Sequence, residues 1–502
     1  MNVAIRTDAT SLTGTGHLMR CLTLADALRQ GGGRIRFVSR HMEPSLREMV
    51  AAHGHELTIF RPASDGREID ELAHAKWLGT SQAQDARDTI HALSDRHWDW
   101  LIVDHYALDA RWESQLRGAA RNIGVIDDIA DRRHDCDILL DQNIQHDHGG
   151  RYAGKVPEHC DLLLGPRFAL LRDEFRELRE KTRPRTGAVG RVLFFFGGVD
   201  ADNHTGRALD AYASLGITGV HVDVVIGMQH PERARLEAEC GERGFACHVQ
   251  TTRMAELMAA ADLAIGAGGS ATWERCCLGV PTLAVCVAEN QRKLIADAAF
   301  EGLLYSPEAS DEWTSVVARH VRALIENPSL RNYMSRRGME AVDGRGVQRV
   351  AARLGCTALE IRMAREDDSR RVFEWRNHPS VRAVSRTVDV IDWESHQKWF
   401  ASVLSATDRC LLIGQLGGLP VGVVRFDTRA EEAEVSIYLV PGAHASGQGR
   451  SLLLSAERWL GANRPAVARI RAHVLGDNDR SRRLFAGAGY RVESTSYLKR
   501  LH

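Results

Sequence analysis

The sequence predicts an α/β protein, with two doubly wound halves followed by a smaller α+β domain. Three observations support this. Nine short runs rich in Val, Ile, Leu and Phe alternate with longer amphipathic stretches through roughly the first 350 residues, the pattern of βαβ units with parallel strands. A basic stretch containing Pro184, Lys181 to Gly187, breaks the series after its fifth run. Beyond about Thr357, helical periodicity gives way to strands in quick succession.

The first five runs are Val3–Ile5, Arg34–Val38, Trp100–Val103, Gly124–Ile126 and Ile138–Leu140. The next four are Val192–Phe196, Val222–Ile226, Leu263–Ile265 and Thr282–Val287. Nine strands exceed one small doubly wound sheet, so residues 1–180 and 181–355 are expected to form separate lobes. A second boundary is expected from Gly344-Arg345-Gly346 to Thr357. In residues 359–502, Leu359–Arg362 opens a strand, and Asp367–Trp375 and His396–Leu404 read as helices. Strands follow at Cys410–Gln415, Val421–Phe426 and Ala433–Leu439.

At ~100–200 residues per domain, a chain of 502 residues accommodates two to four domains. Hydrophobic residues are 44% and charged residues 26%, which excludes a disordered or fibrous chain. With 65 basic and 66 acidic residues the net charge is −1, so no global field holds nucleic acid or an anionic membrane. Met1–Arg6 lacks the basic-then-apolar pattern of a secretory signal, and no apolar run is long enough to cross a bilayer. The longest, Cys276–Ala288, contains Gly279 and Pro281 and reads as a helix end followed by a buried strand. The ten cysteines include no CxxC pair, so neither a metal site nor a disulfide framework is expected. The expectation is a reduced, soluble, cytoplasmic protein.

Three segments carry chemistry. The first follows the first strand as Thr13-Gly14-Thr15-Gly16-His17-Leu18-Met19-Arg20-Cys21. Glycines before a helix let backbone approach a ligand, and the free N–H groups of the first turn favour an anion. His17 falls at that helix start, where the positive dipole end disfavours imidazolium and leaves a ring able to accept a proton. A helix-starting histidine without catalytic duty fits the same residues.

The second segment is Asp262 to Glu274, in which a strand ends in Gly266-Ala267-Gly268-Gly269-Ser270 and a helix begins at Ser270 or Ala271. Gly268, Gly269 and Ser270 suit a diphosphate. Glu274, one turn on, suits two ribose hydroxyls, and Asn290 and Gln291 suit a sugar or phosphate. Glycines for tight packing and Glu274 as a dipole-matching carboxylate are the structural alternative.

Two Rossmann-like halves with GxGHxMRC early and GxGGSxxWE, GxP and NQ late resemble the two-lobed GT-B-like glycosyltransferases of peptidoglycan precursor synthesis. A closer resemblance is to the UDP-sugar hydrolases of pseudaminic acid biosynthesis. Its further motifs are Trp77–Ser81 with Asp85-Ala86, Val103–Tyr106, Asp127–Arg132, Leu140–Asn143, Gly165–Arg172 and Phe196–Asp200. The match runs collinearly over about residues 1–350. It implies hydrolysis of UDP-2,4-diacetamido-2,4,6-trideoxy-β-L-altrose to UDP and free sugar, with inversion and without a metal. On the matching positions, it implies that His17 is the base for the attacking water, with Gly16 in its loop. It also implies that Tyr106 and Asn290 lie near the sugar, and that Gly268, Gly269, Ser270 and Glu274 form the UDP site.

The third segment follows Val435–Leu439 as Gly447-Gln448-Gly449-Arg450-Ser451, with Asn478-Asp479-Arg480-Ser481 and Gly489-Tyr490 downstream. A GxG turn feeding a helix suits the pyrophosphate of coenzyme A. This order of elements over 359–502 resembles the GNAT acetyltransferases. It implies an acetyl-CoA site at Leu439, Gly447, Gly449, Arg450, Ser451, Asn478 and Ser481. Two positions depart from that pattern. Ser446 replaces the usual Gln or Arg, and Phe485 replaces the usual tyrosine acid, so the thiolate takes its proton elsewhere. Glu434 is the candidate base, acting on an amine through water; an exposed strand carboxylate is its alternative reading. Paired with the hydrolase resemblance, the domain is expected to 4-N-acetylate the UDP-4-amino sugar whose product the first domain consumes. The rivals are a glycosyltransferase using an acceptor other than water, and a hydrolase carrying a non-catalytic GNAT domain.

Overall fold

A computed structural model of the protein describes every residue except 11–14, 62–69, 145–149, 309–311, 357–358, 386–387, 417, 443–447, 476–477 and 494–502, and the side chains of 290, 419 and 448. The chain divides into two compact units, residues 1–356 and 357–502.

The first unit contains two parallel sheets. The first sheet is built from β1 (Asn2–Thr7), β2 (Arg34–Ser39), β3 (Glu56–Ile59), β4 (Trp98–Asp104), β5 (Ala120–Ile126), β6 (Ile138–Asp141) and β7 (Asp161–Leu164). Its order is β3-β2-β1-β4-β5-β6-β7. The second sheet holds β8 (Arg191–Phe195), β9 (His221–Ile226), β10 (Ala246–Val249), β11 (Leu263–Ala267) and β12 (Thr282–Val285), in the order β10-β9-β8-β11-β12. Helices cover both faces, so the central strands are buried on both sides and read as near-continuous apolar runs. β1, for example, is buried from Val3 through Thr7.

In both sheets the strand order reverses at one point, between β1 and β4 and between β8 and β11. A crevice opens there beyond the carboxyl ends of the strands, where open α/β sheets bind ligands. Close approach of strands at the second reversal requires glycine. A Cβ on Gly266 would stand 2.0 Å from the Phe195 carbonyl oxygen on the neighbouring strand.

Within the expected boundary segment 344–357 the division falls at its end, because the first unit runs to Cys356. Gly346–Arg353 is a helix, and it packs back onto the first lobe. Val347, Val350, Ala351 and Leu354 join the core of β1, β2 and the helix Gly16–Gln30. The Trp100 indole donates to the Leu354 carbonyl (2.9 Å). Gly346 begins this helix because a Cβ there would lie 2.2 Å from the Ala169 carbonyl oxygen, so the glycine marks tight docking.

The second unit is α+β. Its sheet runs β13 (Glu360–Met363), β14 (Arg409–Leu416), β15 (Leu419–Arg429), β16 (Glu432–Leu439) and β17 (Arg469–Ala472). All neighbours are antiparallel except β16 and β17. The helix Gln448–Asn463 buries Leu452, Leu453, Ala456 and Leu460 against β14, β15 and β16.

Candidate functional sites

The first reversal point brings His17 and Asp104 together. β1 and β4 are paired so that Thr7 faces Asp104, and the helix Gly16–Gln30 opens just beyond β1. His17 Nδ1 therefore reaches Asp104 Oδ1 at 2.6 Å. A buried carboxylate only accepts, so Nδ1 carries the hydrogen and Nε2 holds the lone pair. Arg20 Nη2 also lies 3.2 Å from Nδ1, but a nitrogen 2.6 Å from a carboxylate oxygen is the donor. The helix end and the resemblance point to His17; the structure adds Asp104, which sets the tautomer.

Asp104 is itself held. Arg20 donates Nε to Oδ2 (2.7 Å) and Nη2 to Oδ1 (2.7 Å), and Cys21 Sγ approaches Oδ2 (3.4 Å). Burial opposes its ionisation, yet Arg20 and His17 outweigh that and hold the carboxyl well below the usual carboxylate range. Arg20 continues to Asp128 (2.8 Å), which accepts from the Tyr106 hydroxyl. The Tyr106 ring meets His17 edge-on at 4.7 Å, with His74 and Trp77 packed beyond it. Tyr106 is thus next to His17, only 6% exposed and with its hydroxyl turned to Asp128.

Asp104, Arg20 and Asp128 carry the electrostatics of this site, and none was assigned a role from sequence. Val103–Tyr106 and Asp127–Arg132 stood out as motifs, but nothing in the spacing revealed which partners they meet. Other motifs prove to be buttresses. Asp85 accepts from Arg6, Arg40 and the Trp112 indole, and Asp127 accepts from Arg132 and the Ala130 amide.

Across the cleft, Gly16 and Arg20 line one cavity with Gln142, Arg172, Ser270 and Glu274. Ser270 precedes the helix Ala271–Cys277, and Gly269 at φ +116° turns the chain into it. Gln291 packs against this turn: its Cβ would lie 3.6 Å from a Cβ on Gly268, and its Oε1 accepts from the Val287 amide (3.3 Å). Glu274 faces Arg172 at 3.8 Å, and burial raises its pKa. The structure thus brings Gly16, Ser270 and Glu274 to one cavity, while Gln291 packs against Gly268 and Gly269 in the turn before Ser270. The Asn290 side chain lies outside the described residues.

Among the described residues, one group gathers metal-type donors. Asp26, His53 and His55 have theirs within 4.8 Å of one another. Asp26 pairs with both rings, at 2.7 and 2.9 Å, so its carboxylate is engaged without an ion.

In the second unit, β16 and β17 pair only from Glu432 to Val435, while β16 continues to Leu439. Glu434 lies on this paired stretch, 41% exposed at its side chain and 4.0 Å from His473 Nε2. Gly449, Arg450 and Ser451 fall in the first turn of the helix Gln448–Asn463, and Arg450 Nε donates to the Gly487 carbonyl (2.8 Å). Asn478 and Ser481 bind each other, the Asn478 side chain accepting from the Ser481 amide as an N-cap (3.0 Å). Phe485 is buried, edge-on to Tyr490, whose hydroxyl donates to Glu457 (2.7 Å). Gly447 and Ser446 lie outside the described residues.

The class of protein follows from these two units and their comparisons: a GT-B fold followed by a GNAT domain. The Acetyltransferase (GNAT) domain family matches residues 358–491. The first unit shares its fold with UGT2 of Phytolacca americana, solved with UDP-2-fluoro-glucose and pterostilbene. That structure is 12% identical, covers 70% of this chain and 99% of its own, and has a TM-score of 0.51. More particularly, the chain is similar to the UDP-2,4-diacetamido-2,4,6-trideoxy-β-L-altropyranose hydrolase of Campylobacter jejuni, at 24% identity over 60% of this chain and 97% of that protein. It is also similar along 98% of its length to the uncharacterized protein MJ1062 of Methanocaldococcus jannaschii, at 20% identity over 97% of that chain. The protein is a fusion of a hydrolase-like segment and a GNAT segment.

Proposed function

We propose that the protein is a bifunctional enzyme of pseudaminic acid biosynthesis. Its first unit hydrolyses UDP-2,4-diacetamido-2,4,6-trideoxy-β-L-altrose, and its GNAT domain uses acetyl-CoA to acetylate the 4-amine of the precursor. The observation that carries the hydrolase reading is the His17–Asp104 pair at 2.6 Å, beside a cavity shared with Ser270 and Glu274.

In this mechanism Nε2 of His17 takes a proton from a water molecule as its oxygen bonds to the anomeric carbon. The bond from that carbon to the β-phosphate oxygen breaks, and UDP leaves with the electron pair. Asp104 holds the ring in the reactive tautomer and faces the positive charge as it develops. The turn at Gly268, Gly269 and Ser270 would take the diphosphate, Glu274 the ribose, and Asn290 and Gln291 the sugar side. Gly16 closes the His17 loop against the substrate, and Tyr106 buttresses His17 near the sugar.

In the GNAT domain, Leu439, Gly447, Gly449, Arg450, Ser451, Asn478 and Ser481 would form the acetyl-CoA site, and Glu434 would deprotonate the amine through water. With Phe485 in place of a hydroxyl, CoA would take its proton from solvent. We place both reactions in the cytoplasm.

Incubation with the UDP-4-amino sugar, with and without acetyl-CoA, tests the pairing. The expected result is CoASH release followed by UDP release that depends on acetyl-CoA. CoASH without UDP removes the hydrolase, and UDP without acetyl-CoA removes the requirement for the 4-acetamido group.

A further inference from the structure

Among the described residues six arginines are buried, and their partners differ. Arg6 is paired with Asp8 and Asp85, Arg20 with Asp104 and Asp128, Arg40 with Asp85 and Asp88, and Arg132 with Asp127 and Asp131. Arg331 has no carboxylate, but it donates to three carbonyls, those of Leu324, Ile325 and Gly187, at 2.5 to 2.7 Å.

Arg275 fits neither pattern. It is 1% exposed, and among the described residues no carboxylate lies within ion-pair distance of it. Its Nη2 donates to the Ala267 carbonyl (2.7 Å) and reaches Thr272 Oγ1 at 3.4 Å. Its Nε is buried without a partner. The guanidinium sits directly behind the glycine turn, with Nη1 3.0 Å from where a Cβ on Gly266 would stand. Gly266 therefore leaves room for the cation as well as for the Phe195 carbonyl. Burial drives its pKa down to about 10, so it remains charged at neutral pH.

A buried charge without a counter-ion is costly and is seldom kept for stability. From this juxtaposition we infer that Arg275 is a positioning residue for the nucleoside diphosphate. It is a fixed positive charge beneath the turn whose counter-charge arrives with the ligand. The inference rests on the reading that this turn holds a diphosphate. The ligand's phosphates meet the turn's backbone and Ser270, while Arg275 acts through the turn, without touching them. In a low-dielectric surrounding, its field reaches the phosphates with little screening.

Calorimetric binding of UDP and of uridine to the full chain tests this. Arg275→Met is expected to weaken UDP binding about tenfold, some 1.4 kcal/mol, with uridine affinity unchanged and the melting temperature of the ligand-free protein equal to or above wild type. Arg275→Lys, which keeps the charge, is expected to stay within threefold for UDP. Arg331→Met is the control, expected to lower the melting temperature and leave UDP affinity alone. UDP affinity unchanged in Arg275→Met overturns the inference, as does an equal loss for uridine. A Met variant that no longer folds also overturns it, because the guanidinium would then be structural. If wild type binds uridine and UDP equally, the diphosphate reading of the turn itself has failed.

Discussion

His17 Nδ1 lies 2.6 Å from Asp104 Oδ1, although 87 positions separate the two residues. The pairing of β1 with β4 closes that distance, and the acceptor-only carboxylate leaves Nε2 as the ring's proton-accepting nitrogen. Asp104→Asn keeps the shape but loses the obligatory acceptor, so either tautomer becomes available. UDP release by this variant is expected to fall about 10²–10⁴-fold, and by a similar factor in His17→Ala. Activity within a few-fold of wild type in either variant would remove the dyad from the mechanism. Circular dichroism is the needed companion, because Arg20 also loses a partner at Asp104.

A second prediction concerns pH. His134 is buried between Glu113 (2.8 Å) and Asp127 (3.7 Å). Burial opposes its charge, but the two carboxylates win and raise its pKa to about 9. A pKa raised on folding stabilises fully below the unfolded value of about 6.5, and that contribution is lost as pH rises through about 9. The melting temperature of residues 1–356 within the whole chain should therefore fall between pH 7 and 9. His134→Gln should flatten that slope. An identical slope in the variant would place its origin elsewhere.

The helix Gly346–Arg353 supplies a third prediction. Leu354, just past its end, is 3% exposed within the first lobe's core. Leu354→Ala should cost about 2–5 kcal/mol by removing buried volume. Denaturant titration should show this as an earlier transition of the first unit. A loss under about 0.5 kcal/mol, the range of an ordinary surface change, would mean that this segment does not dock there.

The sequence and the structure part company at identifiable places. The nine runs are legible because most of their residues are buried, eight of them in inner strands and the ninth, β12, buried along its whole length at a sheet edge. β3, β7 and β10 were missed, and each is a four-residue strand at a sheet edge. β10, Ala246–Val249, is nowhere fully buried, so it carries neither an apolar run nor a clean alternation. Gly344-Arg345-Gly346 suggests the start of a boundary because glycine marks both loose chain and tight contact, and only the Ala169 carbonyl beside Gly346 tells them apart. The candidate site divides similarly. His17 and the Gly268–Ser270 turn announce themselves locally, through glycines at strand-to-helix turns. Asp104 and Arg275 act through neighbours that only the folded sheet brings near.

A fourth prediction concerns the acetyltransferase. Glu434 lies where β16 and β17 are still paired, within 4.0 Å of His473. As the base for the amine, it should lose about 10²-fold in kcat/KM for CoASH release when changed to Gln. The loss should be largest where the amine substrate is protonated. A pH–rate profile superimposable on wild type would leave Glu434 as a surface carboxylate.

The central claim is that water, prepared by His17, attacks the anomeric carbon of a UDP-linked diacetamido sugar. Reaction in ¹⁸O-labelled water, with mass analysis of the UDP formed, tests it most directly. UDP free of label, released at a rate that collapses in His17→Ala, is the predicted result. Label in the β-phosphate of UDP would mean attack at phosphorus, and would contradict the account.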